Sequence, residues 1–210
     1  LGKGTAIALF VYYFFKLLQF GLPVPPGFII TTEVFRCREI IDSFSPARAN
    51  LDDQIAHNIR ELEQVTGKRF GDPGNPLLFS VRSGSSISQP GMMDTFLNVG
   101  MNEAIAQGLA AKSGNAWFAW DSYRRFLQCY GMGLGLRRDD FDAIIGDFKK
   151  DLGIPLKKDF SGEHMRRLAL SYKERILDDG FAVPDDPMAQ LHDTIHSVMD
   201  SWQSDKAKTY

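Results

Sequence analysis

The chain has 210 residues, 44% hydrophobic and 24% charged, with a formal net charge of -2 and a pI near 6.1. These values describe an ordinary globular protein, long enough to bury its own core, and exclude a global attraction to nucleic acid or acidic membranes. The two cysteines, Cys37 and Cys129, have no metal or redox spacing, so a reducing cytoplasm and two buried thiols are expected.

The chain opens on Leu1 rather than Met, which reads as a piece of a longer protein. Gly2-Lys3-Gly4 precedes an apolar, aromatic run over residues 5–15. A membrane span needs about 20 apolar residues, and this run is roughly half that, so a buried helix is predicted. A helix N-terminus offers free amides and a partial positive charge, to which Lys3 adds a full one. By itself the tripeptide is also what a plain solvated lysine looks like. It is not the Walker phosphate loop, which needs a longer glycine spacing and a following Ser or Thr. The Pro- and Gly-rich segment 21–27 ends the run. A short β-branched strand is predicted at 28–31, then a helix from Thr32 to about residue 42. Leu51, Ile55, Ile59, Leu62 and Val65, spaced by four and three, predict an amphipathic helix that Gly67 stops. Residues 71–76 read as a loop.

Residues 77–95 are the most informative stretch. An apolar strand over 77–81 ends at Arg82. A loop of Ser and Gly follows, then Pro90-Gly91 and a second apolar strand over 96–99. This order suits phosphate: arginine brings a fixed planar charge, hydroxyls and loop amides bring donors, and glycine lets the backbone come close. The alternative for Arg82 is an edge-strand arginine paired with a surface carboxylate. Met92 and Met93 read as hairpin packing.

Helical texture follows. Helices are predicted over 102–112 and 117–130, then a flexible break at Gly131-Met132-Gly133-Leu134-Gly135. Three more helices are marked by Phe141, Ile144, Ile145 and Phe148, by Met165, Leu168, Tyr172 and Ile176 behind Ser161, and by Met188, Leu191, Ile195, Val198 and Trp202 behind Asp186-Pro187. His192 and His196 share a face of the last helix and echo a zinc spacing, but no third ligand is indicated, so solvated or capping roles are assigned. His57 and His164 receive no chemistry, and no catalytic triad or cysteine nucleophile stands out.

Ser80-Val81-Arg82-Ser83-Gly84 with Pro90-Gly91-Met92-Met93-Asp94-Thr95 resembles the signature of the pyruvate, phosphate dikinase family in its N-terminal nucleotide-binding domain. Gly21-Leu22-Pro23-Val24-Pro25-Pro26-Gly27-Phe28 and Phe118-Ala119-Trp120-Asp121-Ser122-Tyr123-Arg124-Arg125-Phe126 are similar to further family segments. The resemblance implies an α+β fold, the first lobe of an ATP-grasp-like domain with a mostly helical insertion. The implied divisions are an ATP-binding lobe over 1–100, a helical subdomain over 101–186 and a returning helix over 187–210.

The resemblance also implies site residues. Lys3 falls on the family's nucleotide-binding lysine and Arg82 on its ATP-binding arginine. Ser83, Gly84, Gly91 and Thr95 keep the loop pattern. Arg125 matches an arginine near the phosphate-handling region, although a plain ion pair with acidic neighbours on its helix is the alternative. No catalytic residue and no metal ligand is expected in this chain. The family converts ATP, phosphate and pyruvate to AMP, pyrophosphate and phosphoenolpyruvate, using Mg²⁺ and a phosphohistidine on a separate domain. A cytoplasmic homodimer of the full-length protein, with no nucleic acid or membrane partner, is the implied setting. There are two departures: Ser86 stands where the family has a second arginine, and the helix after Lys3 is longer and more apolar. They leave open a nucleotide-sensing module of the same fold, and a phosphoenolpyruvate synthase-like enzyme is a further alternative.

Overall fold

The computed structural model describes residues 17, 19–83 and 95–201, apart from the side chains of Thr32 and Phe35. The expected helix over 5–15 lies outside the described residues. The described chain divides into two compact units, one formed by residues up to 68 with Ser83, the other by residues 69–82 and 95–201.

In the first unit, α1 (Thr32–Arg36) and α2 (Arg38–Ser43) replace the single predicted helix. The break falls at Cys37, which is exposed rather than buried. α3 (Ser45–Thr66) carries the predicted stripe in part: Ile55, Ile59 and Leu62 are buried and Leu51 is half-buried, while Val65, in the last turn, is exposed. Gly67 ends it at φ 66°, a left-handed conformation that glycine adopts without a Cβ penalty. The strand predicted at 28–31 does not form: these residues join no ladder among the described residues, and Ile29 is exposed. β-branched residues favour a strand only where a pleated, half-buried surface exists to receive them.

In the second unit, β1 (Arg69–Phe70) pairs in parallel with β2 (Pro76–Leu77). β3 (Phe79–Arg82) and β4 (Thr95–Val99) form the predicted antiparallel pair, with Arg82 opposite Thr95 and Val81 opposite Phe96. The next pairing is Phe79 with Val99, so β4 spends an extra residue and the ladder is irregular. Within that irregularity Asn98 adopts φ 57°, a left-handed conformation that asparagine tolerates better than most residues.

Among the described residues, five α-helices follow in this unit, with a short 3-10 helix (Lys157–Asp159) before the fourth. These are α4 (Glu103–Ser113), α5 (Ala116–Gly133), α6 (Arg138–Leu152), α7 (Gly162–Asp178) and α8 (Pro187–Ser201). Their starts follow polar capping chemistry. Asn102, Asn115 and Ser161 each accept a backbone N–H of the first turn, and Asp186 accepts from Met188 and Ala189.

α5 is the hub, packed on α4, α7 and β4. Tyr123, Phe126 and Leu127 are essentially inaccessible, and Phe141 meets Tyr172 at 4.8 Å between ring centroids. The Tyr172 hydroxyl donates to the Phe141 carbonyl at 3.0 Å. α8 lies against β3 and β4. The predicted break over 131–135 holds only at its end: α5 runs through Gly131 to Gly133, and the chain turns at Leu134 and Gly135, the latter at φ 104°. A Cβ on Gly131 would stand 2.6 Å from the Phe141 ring, and one on Gly133 2.5 Å from Phe96. Close packing explains these glycines, so the helix needs them where sequence reasoning expected a break.

Candidate functional site

The β3–β4 hairpin places Arg82 as the last residue of its strand, cross-strand from Thr95. Both are exposed, whereas Phe96 and Val99 of β4 are buried. Strand alternation anchors the hairpin through its apolar residues and leaves Arg82 on the accessible side. Among the described residues no hydrogen bond or ion pair engages the Arg82 guanidinium. The surface-pair alternative for Arg82 therefore has no partner among these residues. Ser83 follows in the chain and is half-buried. Lys3, Gly84 and Gly91 lie outside the described residues.

Arg125 belongs to a second cluster of cations, on α5. Asp121, one turn earlier, is 3% exposed. Its Oδ1 accepts from Arg124 Nε at 2.8 Å and from Lys157 Nζ at 2.8 Å, and its Oδ2 accepts from Arg125 Nε at 2.9 Å. Burial pushes the Asp121 carboxyl pKa up, but Lys157 and Arg124 outweigh it and hold the group below its ordinary value. The two arginines then divide. Arg124 is buried, donates also to Gln128 Oε1 at 2.9 Å, and lies 5.5 Å from the Tyr172 ring centroid. The Arg125 side chain is 55% exposed. Lys157 sits over the Trp117 ring at 5.4 Å.

The acidic-neighbour alternative for Arg125 is therefore realised in its pairing with Asp121. That pairing occupies Nε alone, and among the described residues the outer nitrogens of Arg125 have no partner. Asn98 links the hairpin to this helix: its Nδ2 donates to the Ser122 carbonyl at 3.0 Å. Arg82 with Thr95, and Arg125 with Asp121, thus stand on two elements joined by a direct hydrogen bond.

Sequence reasoning missed Asp121, Arg124, Lys157 and Asn98. The spacing of Asp121 with Arg124 and Arg125 was a usable signal, since residues three and four apart share a helix face. Lys157 arrives from 36 residues away and carried no such signal.

A separate cleft of about 650 Å³ lies beside β4, lined by residues including Phe96, Tyr130, Leu134, Asp193 and His196. Neither Arg82 nor Arg125 lines it. Among the described residues no group of three His, Cys, Asp or Glu side chains could hold a metal, and no helix is long and apolar enough to cross a membrane.

Against known proteins, a family model described as pyruvate phosphate dikinase, AMP/ATP-binding domain matches residues 38–210. A pyruvate, phosphate dikinase of Rhizobium meliloti (strain 1021) is 38% identical over 211 residues, covering 100% of this chain and 22% of that protein. One from Clostridium symbiosum is 38% identical over 214 residues, covering 100% of the chain and 23% of the relative. A chloroplastic one from Mesembryanthemum crystallinum is 39% identical over 211 residues, with 100% and 21% covered. The chain thus spans between a fifth and a quarter of the length of these relatives.

Proposed function

The chain belongs to the pyruvate phosphate dikinase AMP/ATP-binding domain family, and from that premise we propose that it is the ATP-binding part of a longer phosphotransferase. That enzyme converts ATP, phosphate and pyruvate to AMP, pyrophosphate and phosphoenolpyruvate. The observation that carries the reading is Arg82: the end of a paired strand presents a guanidinium unengaged by any described residue, cross-strand from Thr95.

The chemistry asked of these residues is positioning and charge. In phosphoryl transfer, negative charge spreads over the phosphoryl oxygens, and fixed cations stabilise it. Arg82 and the outer edge of Arg125 bind and orient the polyphosphate. In the same reading Lys3, Ser83, Gly84, Gly91 and Thr95 supply the remaining contacts, as a cation, hydroxyls and glycines suited to phosphate. We read the fold as the first lobe of an ATP-grasp-like domain over 1–100, a helical subdomain over 101–186 and a returning helix over 187–210, a reading supported by the family match and by the run of helices after residue 100.

Mg²⁺ accompanies ATP in this reading, but the described residues do not fit a metal. Both Asp121 oxygens are taken by cations, and the exposed groups nearby are themselves cationic. The metal's ligands, and the histidine that carries the phosphoryl group, belong to other parts of the longer protein. The 210 residues alone therefore bind ATP without completing the reaction. A cytoplasmic homodimer with no nucleic acid or membrane partner is part of the same proposal.

The test is product formation by the complete protein. Phosphoenolpyruvate appearing from ATP and pyruvate only when inorganic phosphate is supplied supports the dikinase. Activity without added phosphate favours a synthase-like enzyme. A nucleotide-sensing module, the reading favoured by Ser86 in place of the second arginine, binds ATP and forms no product.

A further inference from the structure

Asp121 is surrounded by more positive charge than its own neutralisation requires. One buried carboxylate faces three cations, Arg124, Arg125 and Lys157, at 2.8–2.9 Å. Arg124 alone would pair it, and Arg124 is the partner built into the core, with Gln128 and the Tyr172 ring as further contacts. Arg125 adds little to that core, since its side chain is 55% exposed. What Asp121 does for Arg125 is geometric. It holds Nε at 2.9 Å, along the inner edge of the guanidinium. An arginine fixed there keeps its outer N–H groups as a planar fork, the arrangement that meets phosphate oxygens bidentately. The cluster carries three positive charges against one negative, a surplus that an arriving anion would offset.

We infer that Asp121 is a positioning residue: it clamps Arg125 by its Nε and aims the outer edge of the guanidinium at a phosphoryl or phosphate group of the substrate. The inference rests on the reading that Arg125 handles phosphate. Asn98 extends the same device by tying the backbone at Ser122, next to Asp121, to β4, the strand paired with the one that ends in Arg82.

The test is a double-mutant cycle in the complete protein, reading kcat and the KM for phosphate and for ATP. Arg125→Ala is expected to lower kcat/KM. Asp121→Asn, which keeps the shape and loses the charge, is expected to lower it about 10- to 100-fold, the scale of a misplacement of about 1 Å. In the Arg125→Ala background Asp121→Asn is expected to cost nothing further. Asp121→Glu keeps the charge that Arg124 needs and displaces the carboxylate by one methylene. Where Asp121→Asn fails to fold, Asp121→Glu takes its place in the cycle, with the same loss expected.

Additive losses would overturn the inference, because a role in stability alone does not depend on Arg125. Wild-type kcat/KM in both Asp121 variants, with Arg125→Ala impaired, would overturn it and leave the reading of Arg125 standing. An Arg125→Ala enzyme with unchanged kinetics would remove that reading and the inference with it.

Discussion

Asn98 donates its side-chain amide to the backbone carbonyl of Ser122 at 3.0 Å, from a left-handed backbone conformation at φ 57°. The irregular ladder turns this residue out of the strand pattern, and the hydrogen bond fastens β4 to α5. The strand that faces Arg82 and the helix that carries Arg125 are therefore joined directly.

Asn98 should reverse the usual ranking of alanine over glycine. Asn98→Ala loses the hydrogen bond and keeps an unfavourable backbone, for a total of about 2 kcal/mol. Asn98→Gly loses the bond and relieves the backbone, for about 1 kcal/mol. Denaturant unfolding of the 210-residue chain measures both, and a glycine variant less stable than the alanine one contradicts this account of the irregular ladder.

Gly131 and Gly133 invert another expectation. Within an exposed helix, glycine to alanine gains about 1 kcal/mol. Here the new Cβ would stand 2.6 Å from Phe141 or 2.5 Å from Phe96, so each substitution should destabilise by about 1–3 kcal/mol. The same unfolding measurement reads it, and a stabilised variant would mean that the two rings move aside freely.

The extent to which the sequence was legible follows from this contrast. Caps at Ser161 and Asp186, the stop at Gly67 and the apolar runs flanking Arg82 are local, and local chemistry decides them. The glycines of α5 looked like a break because propensity is local, while their role depends on Phe141, Ile176 and Phe96 arriving from elsewhere. Residues 28–31 looked like a strand because β-branched composition is visible, whereas the lack of a pairing edge among the described residues is not. Within the candidate site, Arg82 and Arg125 stood out through the motifs that hold them. The clamp at Asp121 was half legible: its helical spacing to Arg125 is in the sequence, while Lys157 is brought in by tertiary structure alone.

Asp121 also sets a pH dependence. Its folded-state pKa lies below the ordinary value of 3.8, so its stabilisation is present above that value and is lost as pH falls through the lower folded-state value. Unfolding midpoints from neutral pH to about pH 2 should therefore converge between wild type and Asp121→Asn as acid protonates the wild-type carboxylate. A stability gap that stays constant over this range would show that the carboxylate's charge does not contribute.

Gln190 is fully buried and ties two loops together. Its Oε1 accepts from the Gly100 amide at 2.9 Å, and its Nε2 donates to the carbonyls of Met101 at 2.9 Å and Pro184 at 2.7 Å. Gln190→Leu leaves three backbone groups without that partner and should cost about 3 kcal/mol or more. Hydrogen exchange at the Gly100 amide reads the effect locally, and unchanged protection there would contradict it.

The central claim is that Arg82 grips the polyphosphate of ATP, and calorimetric titration of ATP-Mg²⁺ into the complete protein tests it most directly. Wild type should bind, and Arg82→Ala should bind at least about tenfold more weakly, the loss of a charge-assisted contact of roughly 1.5–3 kcal/mol. Equal affinity in the two proteins, or no binding to wild type, would contradict the account.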